Sequence, residues 1–337
     1  MELNRNIINK ISDVFNCSPN QINLTNIEKS VAAICAYLDV SEKGKETKKI
    51  FVKMNRENFF EEESKNEIEF YQFLQNEKLL FPIPHCHFAA YDEQTNQTIL
   101  ILEDYSDTHG YLTEWPIPPE IDDCKYAITA LAKCHAQFWN HPKLGRGIGS
   151  IRTKAVADNE TTKAKEHLKE FVEVLGDRIN NETLGLYEKA ISNYYGLMQK
   201  RFEKKKDITL CHGDAHIWNF MFKKNDHSSV SIIDWGGWEI GTGTDDLAYM
   251  VGLHWHPLRR KQYELEILEF YHWELIRNGV KNYSFKACYE DYKVSIIGNL
   301  LIPLWQWKND VPAYYWWPHY ERAPIAFKDL ACENMID

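Results

Sequence analysis

The chain of 337 residues is 44% hydrophobic and 26% charged, which is enough apolar content for a substantial core and excludes a disordered composition. Asp and Glu outnumber Lys and Arg by 49 to 39, and the net charge of −10 argues against nucleic acid or an anionic membrane as the main partner. No apolar run reaches the roughly 20 residues of a membrane-spanning helix, and the first residues lack the apolar segment of a signal peptide. The eight cysteines are widely spaced without a CxxC pair, so we expect a cytoplasmic protein with neither a disulfide framework nor a zinc site.

The hydrophobic pattern of the first hundred residues predicts short strands and one long helix. In chain order it predicts a short helix, a turn at 18–20, a linker to residue 30, strands over 31–40 and 49–54, a helix over 59–80, and strands over 87–91 and 98–103. A polar turn with Gly44 separates the first two strands, so we expect them to form an antiparallel hairpin.

Beyond residue 104 the pattern changes to amphipathic helices. They are predicted over 121–139, 161–174 and 183–202, and they resume at residue 245 after a β-rich insertion over 208–240. This change predicts a domain boundary near 104–106, which divides the chain into residues 1–104 and 105–337.

The β-rich insertion carries the most informative motif, LCHGDAHIWNFMFKKNDHSSVSIIDWGGWEI over residues 210–240. Asn219 follows Asp214 at a spacing of D-x4-N, and Asp234 begins an Asp-Trp-Gly triplet after an apolar run. The segments 220–222 and 230–233 flank a polar turn and predict a β-hairpin. Such a hairpin returns Asn219 and Asp234 to the same end of the structure.

This spacing suits phosphoryl transfer from ATP. That reaction needs a carboxylate that orients the attacking hydroxyl and accepts its proton, and hard oxygen ligands for Mg²⁺. An Asp-x4-Asn loop, a hairpin and an Asp-aromatic-Gly triplet are the catalytic and metal loops of kinases. Neither HGD nor D-x4-N is a specific motif on its own. A structural turn closing a hairpin would explain the Asp, Asn and Gly residues, but not the second Asp that follows an apolar strand.

The motif resembles the phosphotransferase family that includes aminoglycoside phosphotransferases and choline kinases. Further stretches resemble its ecdysteroid-kinase-like branch: FVKMN at 51–55, NEIEFYQFL at 66–74, LILEDYS at 100–106, LAKCHAQFW at 131–139 and GTGTDDLAYM at 241–250. The resemblance implies an α+β, two-lobed protein-kinase-like fold with a small antiparallel-sheet N-lobe and a mainly helical C-lobe. It also implies an enzyme that uses ATP and Mg²⁺, binds the nucleotide between the lobes and phosphorylates a hydroxyl of a small-molecule acceptor.

In the N-terminal lobe, the resemblance assigns nucleotide-binding residues. Lys53 would hold the α- and β-phosphates, with Glu67 as its ion-pair partner and Glu69 as the rival candidate. Glu103 and Asp104 would lie in the hinge, where backbone groups bind adenine.

In the C-terminal lobe, the resemblance assigns the chemistry. Asp214 would be the catalytic base, and Asn219 and Asp234 would be the Mg²⁺ ligands. His212 takes the place of the kinase His-Arg-Asp histidine. Asp246 is expected to cap the helix at DLAYM, and the family's matching Asp braces the catalytic loop.

The chain departs from the kinase pattern at two places. It has no GxGxxG motif, and the segment 26–30 occupies the position of the phosphate-covering loop, where Ser30 and backbone N–H groups are expected to contact the β-phosphate. It also lacks an APE segment and has no Arg before Asp214, which favours a constitutively active small-molecule kinase over a regulated protein kinase.

The acceptor site is expected in the aromatic-rich segment after residue 250. Aromatic side chains favour the burial of apolar ligand surface. This segment shows no cluster of acidic residues that could pair with the charges of a polycationic aminoglycoside. We therefore expect a largely apolar or singly charged alcohol, contacted by some of the tryptophans Trp238, Trp255, Trp305, Trp307, Trp316 and Trp317.

Three alternatives remain open at the level of the sequence. One is a catalytically inactive, kinase-like nucleotide-binding module, and another is a protein kinase. The third is a metallohydrolase built from His212, Asp214 and Asp234. His135 is read as a core histidine, and the His254-Trp255-His256 triplet is a weak metal-site candidate.

Overall fold

A computed structural model describes residues 3–30, 33–41, 46–56, 60–77 and 81–336. The chain divides into two compact units: unit 1 is Met1–Leu112 with Asn219–Trp238, and unit 2 is Thr113–Trp218 with Glu239–Asp337. This division differs from the expected one at 104/105, because the hairpin of the catalytic motif pairs with the strand at His109–Gly110 and the segment after it packs on the helix Glu61–Glu77.

The strands are β1 Ile22–Lys29, β2 Ala33–Val40, β3 Lys48–Asn55, β4 Cys86–Asp92, β5 Gln97–Glu103, β6 His109–Gly110, β7 Thr209–Cys211, β8 Phe220–Lys223, β9 Asp226–Ile232 and β10 Glu239–Gly241. The helices are α1 Arg5–Phe15, α2 Glu61–Glu77, α3 Ile121–Phe138, α4 Lys154–Leu175, α5 Asn181–Lys204, α6 Gly243–Ala248, α7 Pro257–Arg277, α8 Phe285–Asn299, α9 Ile302–Lys308 and α10 Ala313–Asp329.

Unit 1 is built on a five-stranded antiparallel sheet in the order β1-β2-β3-β5-β4. The outer strand β1 is a correction to the sequence prediction, which placed a linker and a phosphate-covering loop over 26–30. Its apolar residues do not alternate regularly, because a bulge between Leu24 and Asn26 shifts the register against β2. Only Ser30 lies in the turn, where its N–H donates to the carbonyl of Ala33.

The two faces of this sheet carry different side chains, because residues alternate along each strand. One face contributes Ile50, Val52 and Met54 to a core that also contains Ile11 and Phe15 of α1. The opposite face carries Lys53, Cys35 and Leu100, which pair across the three central strands. This second face is the one that α2 approaches through Glu67.

The hairpin of the catalytic motif is formed as predicted, although its turn is shorter. Strands β8 and β9 pair from Phe220 with Ile232 down to Lys223 with Asp226, and β6 joins the outer side of β8. The hairpin therefore forms a second, three-stranded sheet within unit 1.

Unit 2 is mainly helical, with one small pair of strands, β7 and β10. Its core contains polar networks as well as apolar side chains. In α7, Arg260 donates to Glu264 at 2.7 Å, and Tyr292 of α8 donates to the other Glu264 oxygen at 2.8 Å. Such paired charges are tolerated in a core because each charged group has its partner.

The described residues agree with the expected α+β class: an antiparallel sheet in the N-terminal region and helices in the C-terminal region. Within that part of the chain, no helix combines the length and the apolar character needed to cross a membrane.

Candidate active site

Unit 1 brings together three of the predicted site residues from three separate elements. The Lys53 ammonium on β3 lies 2.8 Å from Glu67 Oε2 on α2 and 2.6 Å from Asp234 Oδ1, just after β9. The Glu67 side chain is 5% exposed, whereas that of Asp234 is 50% exposed. Glu69, the rival candidate, is exposed on the other side of α2. The geometry thus pairs Lys53 with Glu67.

The charges of this cluster fix the protonation of the lysine. Burial alone would lower the pKa of Lys53, but the negative charges of Asp234 and Glu67 outweigh it and raise that pKa. Burial raises the pKa of Glu67, while Lys53 and a hydrogen bond from the Trp235 backbone N–H act in the opposite direction. With Lys53 charged, the cluster presents a fixed ammonium and a half-exposed carboxylate.

The Asp-Trp-Gly segment is held against α2 by stacking and by hydrogen bonds. Trp235 is buried and stacks on Phe70 at a centroid distance of 4.2 Å and an angle of 8°. The Asn66 amide donates to the carbonyls of Gly236 and Trp238 at 2.8 and 3.0 Å. Since Asn66 adjoins Glu67, the same contacts position the helix and the segment that carries Asp234.

Gly236 is needed for this close approach. A Cβ atom at this position would lie 3.0 Å from the backbone oxygen of Glu63, tighter than ordinary contacts. Close packing within unit 1 therefore requires glycine at the third position of the triplet.

Asn219 and Asp234 supply the oxygen ligands that Mg²⁺ prefers, an amide oxygen and a carboxylate. The N–H of Ile233, immediately before Asp234, donates to the Asn219 carbonyl at 2.9 Å, which ties the two segments together. Asp234 adopts a left-handed backbone conformation with φ 63°. This conformation is uncommon in residues other than glycine, and such residues concentrate at functional sites. The donor set fits a magnesium ion.

Unit 2 holds the His-Gly-Asp loop through a buried carboxylate. Asp246 of α6 accepts hydrogen bonds from the backbone N–H groups of His212 at 2.6 Å and Gly213 at 2.8 Å. Gly213 has a φ of 80°, a conformation that glycine adopts without cost. The loop presents the Asp214 side chain 39% exposed. Asp246 therefore braces this loop.

Asp246 does not cap α6, which corrects the sequence prediction. The capping box is made by the neighbouring Asp245, whose carboxylate accepts from the Thr242 backbone N–H at 2.8 Å. Asp246 lies one residue deeper in the helix, so its side chain points to the loop of His212 instead. Although burial opposes ionisation, the hydrogen bond and charge of His135 and the contacts of His212 lower the pKa of Asp246.

His135 is a satisfied core histidine, as expected. Its ring lies 2.9 Å from Asp246 Oδ2 through Nε2 and 2.7 Å from the Tyr271 hydroxyl through Nδ1. His135, Asp246 and Cys211 form the one group with metal-binding spacing that the described residues contain. The Cys211 thiol donates to the Thr242 carbonyl, and burial raises its pKa well above the usual range. Because every ligand atom has a hydrogen-bond partner, we interpret the cluster as structural.

The His254-Trp255-His256 triplet does not form a metal site among the described residues. His254 is buried with Nδ1 3.1 Å from the Tyr249 carbonyl, while His256 is exposed and caps α7.

Two residues next to Asp214 were missed by the sequence analysis. The Tyr249 hydroxyl forms a hydrogen bond with Asp214, and Tyr249 begins a π-helical turn, a feature often found at functional sites. His216 Nε2 lies 3.6 Å from Asp214 Oδ2. For His216 the only signal in the sequence was its position two residues after Asp214. Tyr249 is distant from Asp214 along the chain and carried no such signal.

The hinge residues are only partly available for adenine. The N–H of Glu103 donates to the His85 carbonyl, and that of Asp104 donates to the Lys49 carbonyl. The Asp104 carboxylate accepts from the N–H of Ser106 at 2.8 Å and closes a turn. The N–H groups of both predicted hinge residues are therefore already used within the protein.

The tryptophans divide into packing residues and partly exposed ones. Trp238 is buried in unit 1, where its Nε1 donates to the Asn66 carbonyl at 2.8 Å. Trp255 and Trp316 are also buried, so these three rings offer little surface to an acceptor, which corrects the expectation for Trp238, Trp255 and Trp316. Trp307 and Trp317, in unit 2, remain partly exposed.

Comparison with known proteins agrees with this geometry. The model of the ecdysteroid kinase-like family matches residues 33–282. No curated protein sequence matches the chain. The fold is similar to that of Plasmodium vivax ethanolamine kinase, with a TM-score of 0.61, 13% identity, and coverage of 96% of this chain and 86% of that one. It is also similar to aminoglycoside 2'-phosphotransferase-IIIa, with a TM-score of 0.56, 13% identity and 93% coverage of both chains. The expected kinase-like fold is thereby confirmed.

Proposed function

The chain belongs to the ecdysteroid kinase-like family, a family of small-molecule kinase type, and on that premise we propose that it transfers the γ-phosphoryl group of ATP to a hydroxyl of a small acceptor with Mg²⁺. One observation carries the proposal: the Lys53 ammonium is held by carboxylates from two different elements, Glu67 and Asp234. A strand lysine with this double contact is a fixed positive charge for nucleotide phosphates.

In the nucleotide half of the reaction, Lys53 binds the α- and β-phosphates and Glu67 keeps its ammonium in place. Asn219 and Asp234 are the residues that would hold Mg²⁺. Bound there, the ion neutralises charge on the phosphates. Ser30, at the turn between β1 and β2, contributes to the phosphate-covering segment.

In the acceptor half, Asp214 orients the hydroxyl and accepts its proton. The acceptor oxygen forms a bond to the γ-phosphorus while the bond from that phosphorus to the β,γ-bridging oxygen breaks. The products are the phosphorylated acceptor and ADP, and the proton leaves from Asp214 to solvent. Asp246 supports this step by holding the backbone on the N-terminal side of Asp214.

We assign adenine recognition to the residue that follows the two hinge residues Glu103 and Asp104. Because the N–H groups of Glu103 and Asp104 donate within the protein, the next amide, that of Tyr105, is the donor that we assign to adenine. The Tyr105 ring stacks on His109 at 4.6 Å, which holds this segment in place.

The fold does not select the acceptor, since an ethanolamine kinase and an aminoglycoside phosphotransferase share it. We propose an apolar or singly charged alcohol. Trp307 packs on Phe171 at 5.3 Å, and its partly exposed ring, with that of Trp317, provides apolar contact area.

An ATP-depletion screen tests the proposal. The acceptors are amino alcohols, amino sugars, sterols and hydroxylated natural products, and mass spectrometry identifies any product. We expect one acceptor class to gain a single phosphoryl group in a Mg²⁺-dependent reaction. ATP binding without transfer to any class would favour the inactive nucleotide-binding module.

A further inference from the structure

A pocket of about 260 Å³ lies in unit 1, on the face of the five-stranded sheet opposite to Lys53. Four apolar side chains from four neighbouring strands form its floor: Ile27, Ile34, Met54 and Ile99. Met54 pairs with Ile34 on one side and with Ile99 on the other, so these three side chains form a continuous row across the sheet. The pocket is therefore separate from the candidate nucleotide site on the other face.

The pocket exists because α1 covers only part of the sheet. Ile11 and Phe15, in the C-terminal half of α1, are buried in the core. Ile7, one turn earlier, and Leu3, just before the helix, line the pocket and are only partly buried. Three of the four floor residues are also partly exposed, all of them isoleucines. A molecule that covered this floor would remove apolar surface from water, which is favourable.

Polar groups at the rim of the pocket are held in fixed positions. The Asn55 amide donates to the Asn96 carbonyl at 2.8 Å, and its oxygen accepts from the Thr98 N–H at 2.9 Å. The side-chain oxygen of Asn4 accepts from the Asn6 N–H at 2.8 Å and caps α1. This cap leaves the NH₂ group of Asn4 to donate to a ligand, so a hydroxyl or carbonyl oxygen is a suitable partner.

The volume and charge of the pocket limit its ligand. A cavity of about 150 Å³ holds a benzene molecule, so about 260 Å³ suits roughly ten non-hydrogen atoms. Glu61 is the one charged side chain among the described residues that line the pocket. An anionic ligand would therefore meet a like charge and find no basic side chain in the lining.

We propose that this pocket binds a small apolar alcohol and that its occupancy strengthens nucleotide binding. Met54 directly follows Lys53 on β3, and Glu61 begins α2, which carries Glu67. A bound molecule thus contacts both elements that form the ion pair between Lys53 and Glu67, and it stabilises their arrangement. Because coupling between two sites is reciprocal, the alcohol and the nucleotide each raise the affinity for the other. The coupling rests on the proposed function, whereas the pocket itself does not.

The binding test is an NMR titration of the full-length protein with labelled isoleucine δ1-methyl groups. The ligand is 3-phenylpropan-1-ol, which has the expected size. The polar control is myo-inositol, and 3-phenylpropanoate is the anionic counterpart. Four isoleucines report on the pocket, namely Ile7, Ile27, Ile34 and Ile99. Ile297, buried in unit 2, is the internal control.

We expect the alcohol to move the four pocket signals and not that of Ile297, with a dissociation constant on the order of 1 mM for a ligand of this size. Inositol buries no apolar surface, so it should cause no shifts. The propanoate should bind about two- to fivefold more weakly than the alcohol because of the carboxylate of Glu61. Unmoved pocket signals with the alcohol, or equal shifts with inositol, would overturn the site. Equal or tighter binding of the propanoate would overturn the ligand class.

Two variants fill the pocket from opposite sides: Ile34→Phe from the floor and Ile7→Trp from α1. Each should weaken binding of the alcohol at least about tenfold. Ile22→Phe, on β1 but outside the pocket lining, is the matched control and should bind like wild type. The methyl spectrum of unit 2 reports whether a variant is folded, and the second variant decides where the first does not fold. Undiminished binding in a folded filling variant would contradict the assignment of the pocket.

Calorimetry of MgATP with and without saturating alcohol tests the coupling. The affinity for MgATP should rise about fivefold or more in wild type and Ile22→Phe, and it should not change in the filling variants. An affinity that the alcohol leaves unchanged in wild type would overturn the coupling. Absence of MgATP binding under both conditions would contradict the proposed function, whereas the methyl titration needs no nucleotide and decides the pocket independently.

Discussion

Replacing Glu67 by Gln is the sharpest perturbation of the nucleotide half. The substitution keeps the shape of the side chain and removes one of the two negative charges that hold the Lys53 ammonium. The remaining partner is Asp234, so the lysine is expected to move toward the carboxylate that we assign to Mg²⁺.

The size of the effect follows from the geometry. Glu67 Oε2 lies 2.8 Å from Lys53 Nζ, and a buried hydrogen bond between charged groups contributes about 1.5–3 kcal/mol. Gln keeps an oxygen that still accepts from Lys53, so we take the lower end of this range. Since 1.4 kcal/mol corresponds to a factor of ten, kcat/KM for ATP should fall about tenfold.

The assay is a coupled ADP-release measurement over a range of ATP concentrations, with Glu69→Gln as the matched control. Glu69 is exposed on the same helix, so its variant should remain within about twofold of wild type. Burial raises the pKa of Glu67, so the neutral variant should keep or raise the melting temperature, which separates loss of function from misfolding. A larger effect for Glu69→Gln, or an unchanged Glu67→Gln enzyme, would refute this reasoning.

Three further predictions concern the metal, the Asp-Trp-Gly segment and the α6 cap. Asp234→Ala should abolish the Mg²⁺ dependence of ATP binding in calorimetry while weak metal-free binding survives, and a retained dependence would remove Asp234 from the ligand set. Asn66→Ala loses two hydrogen bonds to the segment and should lower the free energy of unfolding by about 1–3 kcal/mol, to be measured in urea, whereas no loss would show that these bonds are dispensable. Burial raises the pKa of Asp245 to about 6 from an ordinary 3.8, so the folded state holds this proton more tightly than the unfolded state. Wild type should therefore gain stability relative to Asp245→Asn as pH falls from about 7 to 4, by on the order of 2 kcal/mol, and a constant difference would contradict the shift.

The ion pair between Lys53 and Glu67 was predicted from the family resemblance, and the periodicity of its two elements explains why the structure brings these two residues together. Glu67, Phe70, Tyr71 and Leu74 follow the i, i+3, i+4, i+7 pattern of one helix face and are all buried, which places Glu69 outside. Strand alternation likewise separates Lys53 from the apolar core on the other face of the sheet.

The sequence could not reveal β1 or the contacting histidines near Asp214, for different physical reasons. In β1 a bulge breaks the alternation on which strand prediction depends, and polar residues dominate the segment. The histidines near Asp214 come from distant segments, at His216, His254 and His319, so no local pattern connects them. Aromatic density also gave no indication that Trp238 and Trp255 are buried.

The most direct test of phosphoryl transfer through Asp214 is the Asp214→Asn variant. It keeps the size of the side chain but removes the proton acceptor beside the hydroxyl of the acceptor molecule. With the acceptor identified by the screen, kcat should fall by about two to four orders of magnitude, while calorimetry should give an ATP affinity close to that of wild type. Turnover at the wild-type rate in this variant would contradict the assignment of Asp214 as the base.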